Sequence, residues 1–269
     1  MTTQSRQVGR APILEEIERS QRSARTRFRL IFALVWLAII AAFGVFLWVT
    51  EEFDWDFISR AGPYILQGAG LTILICASSI VLATILAIIG ALGRLSTNAV
   101  YNGVASFYVS LVRGTPLLVQ IFFIYFGLPQ IGIILPAIPA GIIALGFNYG
   151  AYMTEIFRAG IQAVPPGQAE AAQALGMPDR LLFRRVVLPQ AVRIVIPAIG
   201  NDFVAMIKDS ALISTIGVQE LLWRADQRGT REFRTLQALI IAALVYWALT
   251  IIFSFFQERL ERRMARGDR

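Results

Sequence analysis

Three polar clusters interrupt an otherwise apolar chain, and their residue types can hold a small polar molecule. The first is Lys208-Asp209-Ser210. Lys208 is the sole lysine beside 24 arginines. If the helix carrying it enters the apolar region near Pro197, Lys208 lies about 16 Å inside, close to the midplane. A charge there is costly unless paired or wet. Adjacent helix positions point about 100° apart, so Lys208 and Asp209 can each meet one end of a zwitterion. The competing reading is an ion-pair network between helices, with Asp202 or Glu155 as partner. The second cluster is Asn148, Tyr152 and Glu155, whose spacings of four and seven put them near one helix face. Together they offer donor, mixed and anionic groups suited to an amino group and a polar side chain. Glu155 can equally pair with Arg158 at i,i+3. The third is Arg113-Gly114-Thr115-Pro116, which breaks a helix pattern near its inner end. Arg113 is either part of a gate or an anchor whose head reaches the headgroups.

The elements that must position these groups are membrane helices. Of 269 residues 56% are hydrophobic and only 16% charged, with a mean hydropathy of +0.62, against about 25% charged in soluble domains. Apolar segments cover residues 28–49, 64–92, 105–128, 139–160, 192–217 and 236–256, six expected spans. Residues 28–49 follow a polar leader too long for a signal peptide and precede no small-residue cleavage site, so they are expected to stay. Residues 13–22 of the leader suit a short amphipathic helix. With the N-terminus in the cytoplasm, 18 arginines fall on the inner side and five on the outer, which predicts N-in and C-in. The five outer ones are Arg60 and four between 224 and 234, and the 224–234 loop fits this rule least well. The net charge of +7 sits at the ends of apolar segments, as orientation signals do, and does not point to nucleic acid. Gly146 and Gly150 form a small-residue pattern suited to close helix packing.

Several chemistries are excluded. Histidine is absent and Cys76 is the single cysteine, so no intrachain disulfide, His/Cys metal site or Cys-His dyad can form. No G-x-x-x-x-G-K-[ST] loop is present. No catalytic or metal-ligating residue is expected. If ATP drives the protein, a partner binds it.

Between the fourth and fifth spans lies PPGQAEAAQALGMPDRLLFRRVVLPQA, residues 165–191. Its composition predicts two short helices meeting at a glycine. Pro165 and Pro166 set a start, Gly176 suits a left-handed stop, Pro178 suits the first turn of the second helix, and Pro189 marks its end. Glu170-Ala171-Ala172, then Gly176, then Leu188-Pro189 resembles the EAA loop of importer permeases of the ATP-binding-cassette (ABC) superfamily. Arg113-Gly114-Thr115-Pro116, Asn148-Tyr149-Gly150-Ala151-Tyr152 with Glu155, and Lys208-Asp209-Ser210 with Leu212 resemble the polar amino-acid permeases of the histidine/glutamine type.

That resemblance implies an all-α integral protein of the bacterial cytoplasmic membrane, with the type I ABC importer permease fold. The core would be five helices within 64–256, with a coupling loop at 161–191. Residues 28–49 would be an additional helix, 1–27 a basic cytoplasmic segment and 257–269 a cytoplasmic tail. Glu170, Ala171, Ala172, Gly176, Leu188 and Pro189 would meet a cytoplasmic ABC ATPase dimer, which alone carries ATP and Mg. A second permease copy or a paralogue and an extracytoplasmic solute-binding protein complete the implied assembly in the lipid bilayer. Asn148, Tyr152, Glu155, Lys208, Asp209 and Ser210 would line the solute path, and Arg113, Gly114, Thr115 and Pro116 would gate it. Opine- or cystine-like solutes are alternatives to polar amino acids. An ATP-independent oligomeric channel and a membrane scaffold are readings of other classes; costly intramembrane polar groups argue against the scaffold.

Overall fold

The computed structural model describes residues 10–49 and 54–265. Residues 1–9 of the expected leader and 266–269 of the expected tail lie outside the described residues. The chain divides into two compact units, Met1–Asp54 and Trp55–Arg269. Among the described residues every regular element is a helix.

The first unit holds one helix, α1 (Arg10–Val49), of 40 residues, about 60 Å long. The sequence predicts an amphipathic helix over 13–22 separate from the apolar run 28–49. The structure joins them, because no glycine or proline stands between to stop the helix. Phe28, Phe32 and Trp36 stack at i,i+4 spacing along it, with centroids 6.2 and 5.9 Å apart.

The second unit begins with α2 (Trp55–Leu66) and α3 (Gly68–Leu95), separated by the single turn residue Gln67. Then follow α4 (Ala99–Arg113) and α5 (Leu117–Phe122), which runs through a π turn and a 3-10 turn to Ile131. Next come α6 (Ala137–Gln162), α7 (Pro166–Ala174), α8 (Asp179–Leu182) and α9 (Leu188–Asp209). A 3-10 segment, Ser210–Ile216, leads to α10 (Leu221–Arg231) and α11 (Thr235–Ala265).

Small residues let α3 and α6 pack along one another. Ala83, Ala87 and Ala91 recur every four residues on α3 and are buried, as are Ala140, Ala144 and Ala151 on α6. A Cβ on Gly146 would come within 2.7 Å of Leu82, one on Gly150 within 2.7 Å of the Tyr108 hydroxyl, and one on Gly90 into Thr154. Gly146 and Gly150 are thus packing positions. On the other side of the core, α9 meets α11 through an edge-to-face pair, Phe203 and Phe253, at 5.1 Å.

A second cluster joins α2, α10 and α11 through Phe57, Ala61, Ile65, Leu221, Ala225, Ala238 and Ala242. Glu220, fully buried, ties this cluster to α3. Its carboxylate caps α10 by accepting from Trp223 N at 2.8 Å, and accepts from the hydroxyls of Tyr246 and Thr72. Three of the arginines that the sequence puts on the outer side have local partners. Arg60 pairs with Asp56 at 2.8 Å, Arg228 with Glu232 at 2.7 Å, and Arg224 stacks 4.9 Å over the Tyr64 ring.

Of the expected spans, two helices among the described residues are long and apolar enough to cross a membrane by composition alone, Trp55–Leu95 and Thr235–Met264. A third qualifies if Ala99–Arg113 and Leu117–Ile131, bent by 107°, count as one. The helices α6 and α9 do not qualify, because α6 carries Asn148, Tyr149 and Tyr152 and α9 carries Arg193, Asp202, Lys208 and Asp209.

Gly68 is the tightest backbone approach between α3 and α10: a Cβ there would lie 2.7 Å from Leu221 Cα. Gly68→Ala is expected to destabilise the protein by about 1–3 kcal/mol. Gly70→Ala, with nothing within 4 Å of the added Cβ, should be neutral or stabilise by up to about 1 kcal/mol. Thermal unfolding in mild detergent, followed by tryptophan fluorescence, checks both.

Candidate functional site

Pro116 ends α4. It has no N–H to donate and pushes the residue before it out of the helical region, and the chain turns by 107° into α5. This break, the middle of α6 and the second half of α9 border an open cavity of about 570 Å³. The break lines it with Arg113 to Leu117, α6 with Asn148, Tyr149 and Tyr152, and α9 with Asp202, Ala205 and Asp209. The α9 residues recur at three and seven positions, one helix face. Its size falls in the range of small-molecule sites.

Two side-chain bonds beside this cavity tie α6 to its neighbours. Tyr149 Oη donates to Asp209 Oδ2 at 2.7 Å, joining α6 to α9. Asn148 Nδ2 donates to Gln120 Oε1 at 3.1 Å, joining α6 to α5. Across the cavity mouth, the Arg113 guanidinium lies 5.2 Å from the Tyr152 ring centroid, a cation–π contact. Asp202 Oδ2 is buried and has no hydrogen-bond partner among the described residues. The lining therefore carries two carboxyl groups and one guanidinium.

Of the residues the sequence proposed for a solute path, the structure brings Asn148, Tyr152 and Asp209 together with Arg113, Gly114, Thr115 and Pro116. It sets three others outside. Glu155 accepts from Arg94 Nε at 3.1 Å and from Arg158 at 2.7 Å; Arg94 also donates to Ser106, and Asn102 caps the Arg94 carbonyl at 2.9 Å. Lys208 lines a separate cavity of about 290 Å³ with Ala211, Leu222 and Tyr246. Ser210 is buried and donates to Ile207 O at 2.7 Å. Sequence reasoning weighed Asp202 only as an ion-pair partner. Its seven-residue spacing from Asp209 is the signal that places it on the cavity face. Gln120 was not singled out, since one amide in an apolar run has no pattern of its own.

The segment after α6 makes two short helices. Gly176 takes φ +73°; its N–H donates to Gln173 O at 2.8 Å and Met177 N–H to Ala172 O at 3.1 Å. This pair of bonds is the Schellman stop for α7. Glu170 and Ala171 are exposed on α7, and Ala172 is buried. Leu175, just past the helix, is 85% exposed. Pro189 does not end the second helix. A π turn, Phe183–Val187, carries the chain from α8 into α9, and Pro189 stands in the first turn of α9. A proline in a first turn removes an N–H that has no helical partner anyway, and Leu188 N–H closes the π turn onto Phe183 O.

A family model described as "Binding-protein-dependent transport system inner membrane component" matches residues 79–266. The arginine transport system permease protein ArtQ of Bacillus subtilis (strain 168) is 40% identical over 207 residues, 77% of this chain and 94% of that protein. The L-cystine transport system permease protein TcyB of the same organism is 40% identical over 214 residues, 79% and 92% of the two chains. A crystal structure of an amino acid ABC transporter with histidines superposes with a TM-score of 0.75 at 39% identity, over 78% of this chain and 99% of that one.

Glu155 holds two guanidinium groups of different helices. Glu155→Gln is expected to cost about 1–3 kcal/mol of stability. The loss should be less than additive with Arg94→Gln, because the two share one interaction. A double-mutant cycle on thermal unfolding checks it.

Proposed function

The chain belongs to the family of binding-protein-dependent transport system inner membrane components, and we propose that it is the permease through which an ATP-driven importer moves polar amino acids into the cell. The observation that carries this is the cavity. Arg113 suits an α-carboxylate, and one of the two carboxyl groups in the lining, Asp202 or Asp209, suits an α-amino group. The second carboxyl group makes the lining favour a solute with a further positive charge, such as the side chain of arginine. Glu155, Lys208 and Ser210 then act in packing and helix pairing rather than on the solute path.

In this reading the core 64–256 spans the membrane with N-in and C-in, and residues 28–49 add a helix in front of it. The loop 161–191 faces the cytoplasm. Its exposed α7, with Glu170 and Ala171 outward and Gly176 fixing the turn, docks on a cytoplasmic ABC ATPase dimer. Leu188 and Pro189 pass the motion to α9. ATP and Mg bind to that partner, and the permease makes and breaks no covalent bond. A second permease copy or a paralogue completes the translocation path, and an extracytoplasmic binding protein delivers solute. Transport requires each nucleotide state to favour a different permease conformation, not merely to bind.

Proteoliposomes holding the chain, its ATPase and its binding protein test the proposal. ATP-dependent uptake of radiolabelled L-arginine supports it. Preferential uptake of L-cystine or an opine would move the solute class. Conductance without ATP or ATPase would overturn it in favour of a channel.

Two variants sharpen the assignment. Asp209→Asn removes the carboxylate held by Tyr149, and should raise the KM for L-arginine about tenfold or more while uptake of uncharged L-glutamine changes less. Gly176→Val places a β-branched residue at φ +73°, where even unbranched residues lose about 1–2 kcal/mol. ATP hydrolysis should then no longer follow solute, or the ATPase should fail to copurify; normal uptake would remove the coupling role from this turn.

A further inference from the structure

At the 107° break, the last carbonyls of α4 need donors that the helix no longer supplies. Gly114 N–H takes Ser110 O at 3.0 Å, and Thr115 Oγ1 donates to Leu111 O at 3.0 Å. Val112 O is taken from beyond the break. Gln120 Nε2 donates to it at 2.8 Å, and also to Thr115 O at 3.1 Å and Thr115 Oγ1 at 3.0 Å. One amide nitrogen thus closes the corner between α4 and α5. The oxygen of the same amide accepts from Asn148 Nδ2 at 3.1 Å. Asn148 lines the cavity and Gln120 does not; Gln120 faces an apolar groove with Phe123, Ile143 and Phe147 on the other side of α5.

We infer that Gln120 is a positioning residue that ties the occupant of the cavity to the angle of the α4–α5 break. The inference rests on the reading of the cavity as the solute site. A solute that hydrogen-bonds Asn148 orients the amide that Gln120 Oε1 holds. The planar Gln120 amide carries any displacement to Val112 and Thr115, where the chain changes direction. The neighbouring residue, Tyr149, is held by Asp209, so the same helical turn of α6 contacts both walls that must part for solute to pass. A glutamine serves here because it donates and accepts at once. A methionine of similar length does neither, and a glutamate can accept from Asn148 but cannot donate to the α4 carbonyls.

The test uses the complex of the full chain with its ATPase in lipid nanodiscs and radiolabelled L-arginine as probe, with L-glutamine and L-cystine in parallel. Two quantities are read: the solute Kd, and the ratio of ATP hydrolysis with and without solute. In Gln120→Met the Kd is expected to stay within about threefold of wild type, while the ratio falls by about fivefold or more, the size of an ordinary coupling between two sites. Gln120→Glu, which keeps the shape, should show the same split and serves if the methionine variant does not assemble. An unchanged ratio in an assembled variant overturns the inference, and so does a Kd that weakens in step with the ratio, the result of a merely structural role. A wild-type complex that binds none of the three amino acids removes the cavity reading, and the inference with it.

Discussion

The contact between α3 and α6 is the constraint on which the rest of the second unit depends. In an apolar surrounding there is no hydrophobic force between helices, so association rests on packing area and on polar groups that find each other. Gly90, Gly146 and Gly150 together with the alanine rows remove the side chains that would hold the helices apart. Their absence also admits neighbours. Tyr108 of α4 reaches Phe147 O at 2.7 Å over Gly150, its ring 4.8 Å from that of Phe147. The result is a fixed rotation of α6 about its own axis. With that rotation set, Asn148 faces α5, Tyr149 faces α9 and Tyr152 faces Arg113 at the end of α4, and Glu155, seven residues beyond Asn148, reaches back to Arg94 on α3.

Polar groups on α6 and α9 are costly in such a setting unless they are satisfied, and three of those on α6 are. Tyr149 meets Asp209, Asn148 meets Gln120, and Glu155 meets two arginines. Asp202 Oδ2 stands apart as a buried oxygen with no hydrogen-bond partner among the described residues. The residue itself lines the cavity together with Arg113. Satisfied pairs hold the helices, and the Asp202 carboxyl is the lining group whose hydrogen bonding they leave incomplete. Glu220 applies the same economy at the other end of the core, where one carboxylate caps α10 and receives hydroxyls from α3 and α11.

Much of this was legible in the residues because it depends on local chemistry. Gly114 and Pro116 close together disfavour a continuous helix, and Gly176 after a run of helix formers stops one. Asn148 and Tyr152 share a face by spacing alone. What was not legible depends on which face meets which neighbour. Lys208 and Asp209 differ by one position, and only packing decides that the aspartate faces the cavity while the lysine lies on the side of α10 and α11. Gln120 has no local signature, since its role exists only where the chain has already turned back on α4. Pro189 misled because a proline can end one helix or begin the next. The π turn before it supplies the extra residue that lets α8 run into α9.

That continuity bears on how a motion outside the membrane could reach the cavity. In the proposed importer, α7 is the element an ATPase would move, and only residues 175–178, turning at Gly176, separate it from the stretch that leads through α8 and the π turn into α9. From Leu188 to Asp209 the helix is unbroken and about 32 Å long. Pro197, within it, removes one backbone bond but leaves the helix regular. Asp202 and Asp209 ride on its far half. A tilt of α9 at its cytoplasmic end therefore moves both cavity carboxyls together, against Tyr149 on an α6 that the small-residue contact with α3 holds in place. In that proposal one wall of the cavity moves through its connection to α7 and the other is held by packing. Such a pair can hold a solute in one arrangement and release it in the next without either wall being rebuilt.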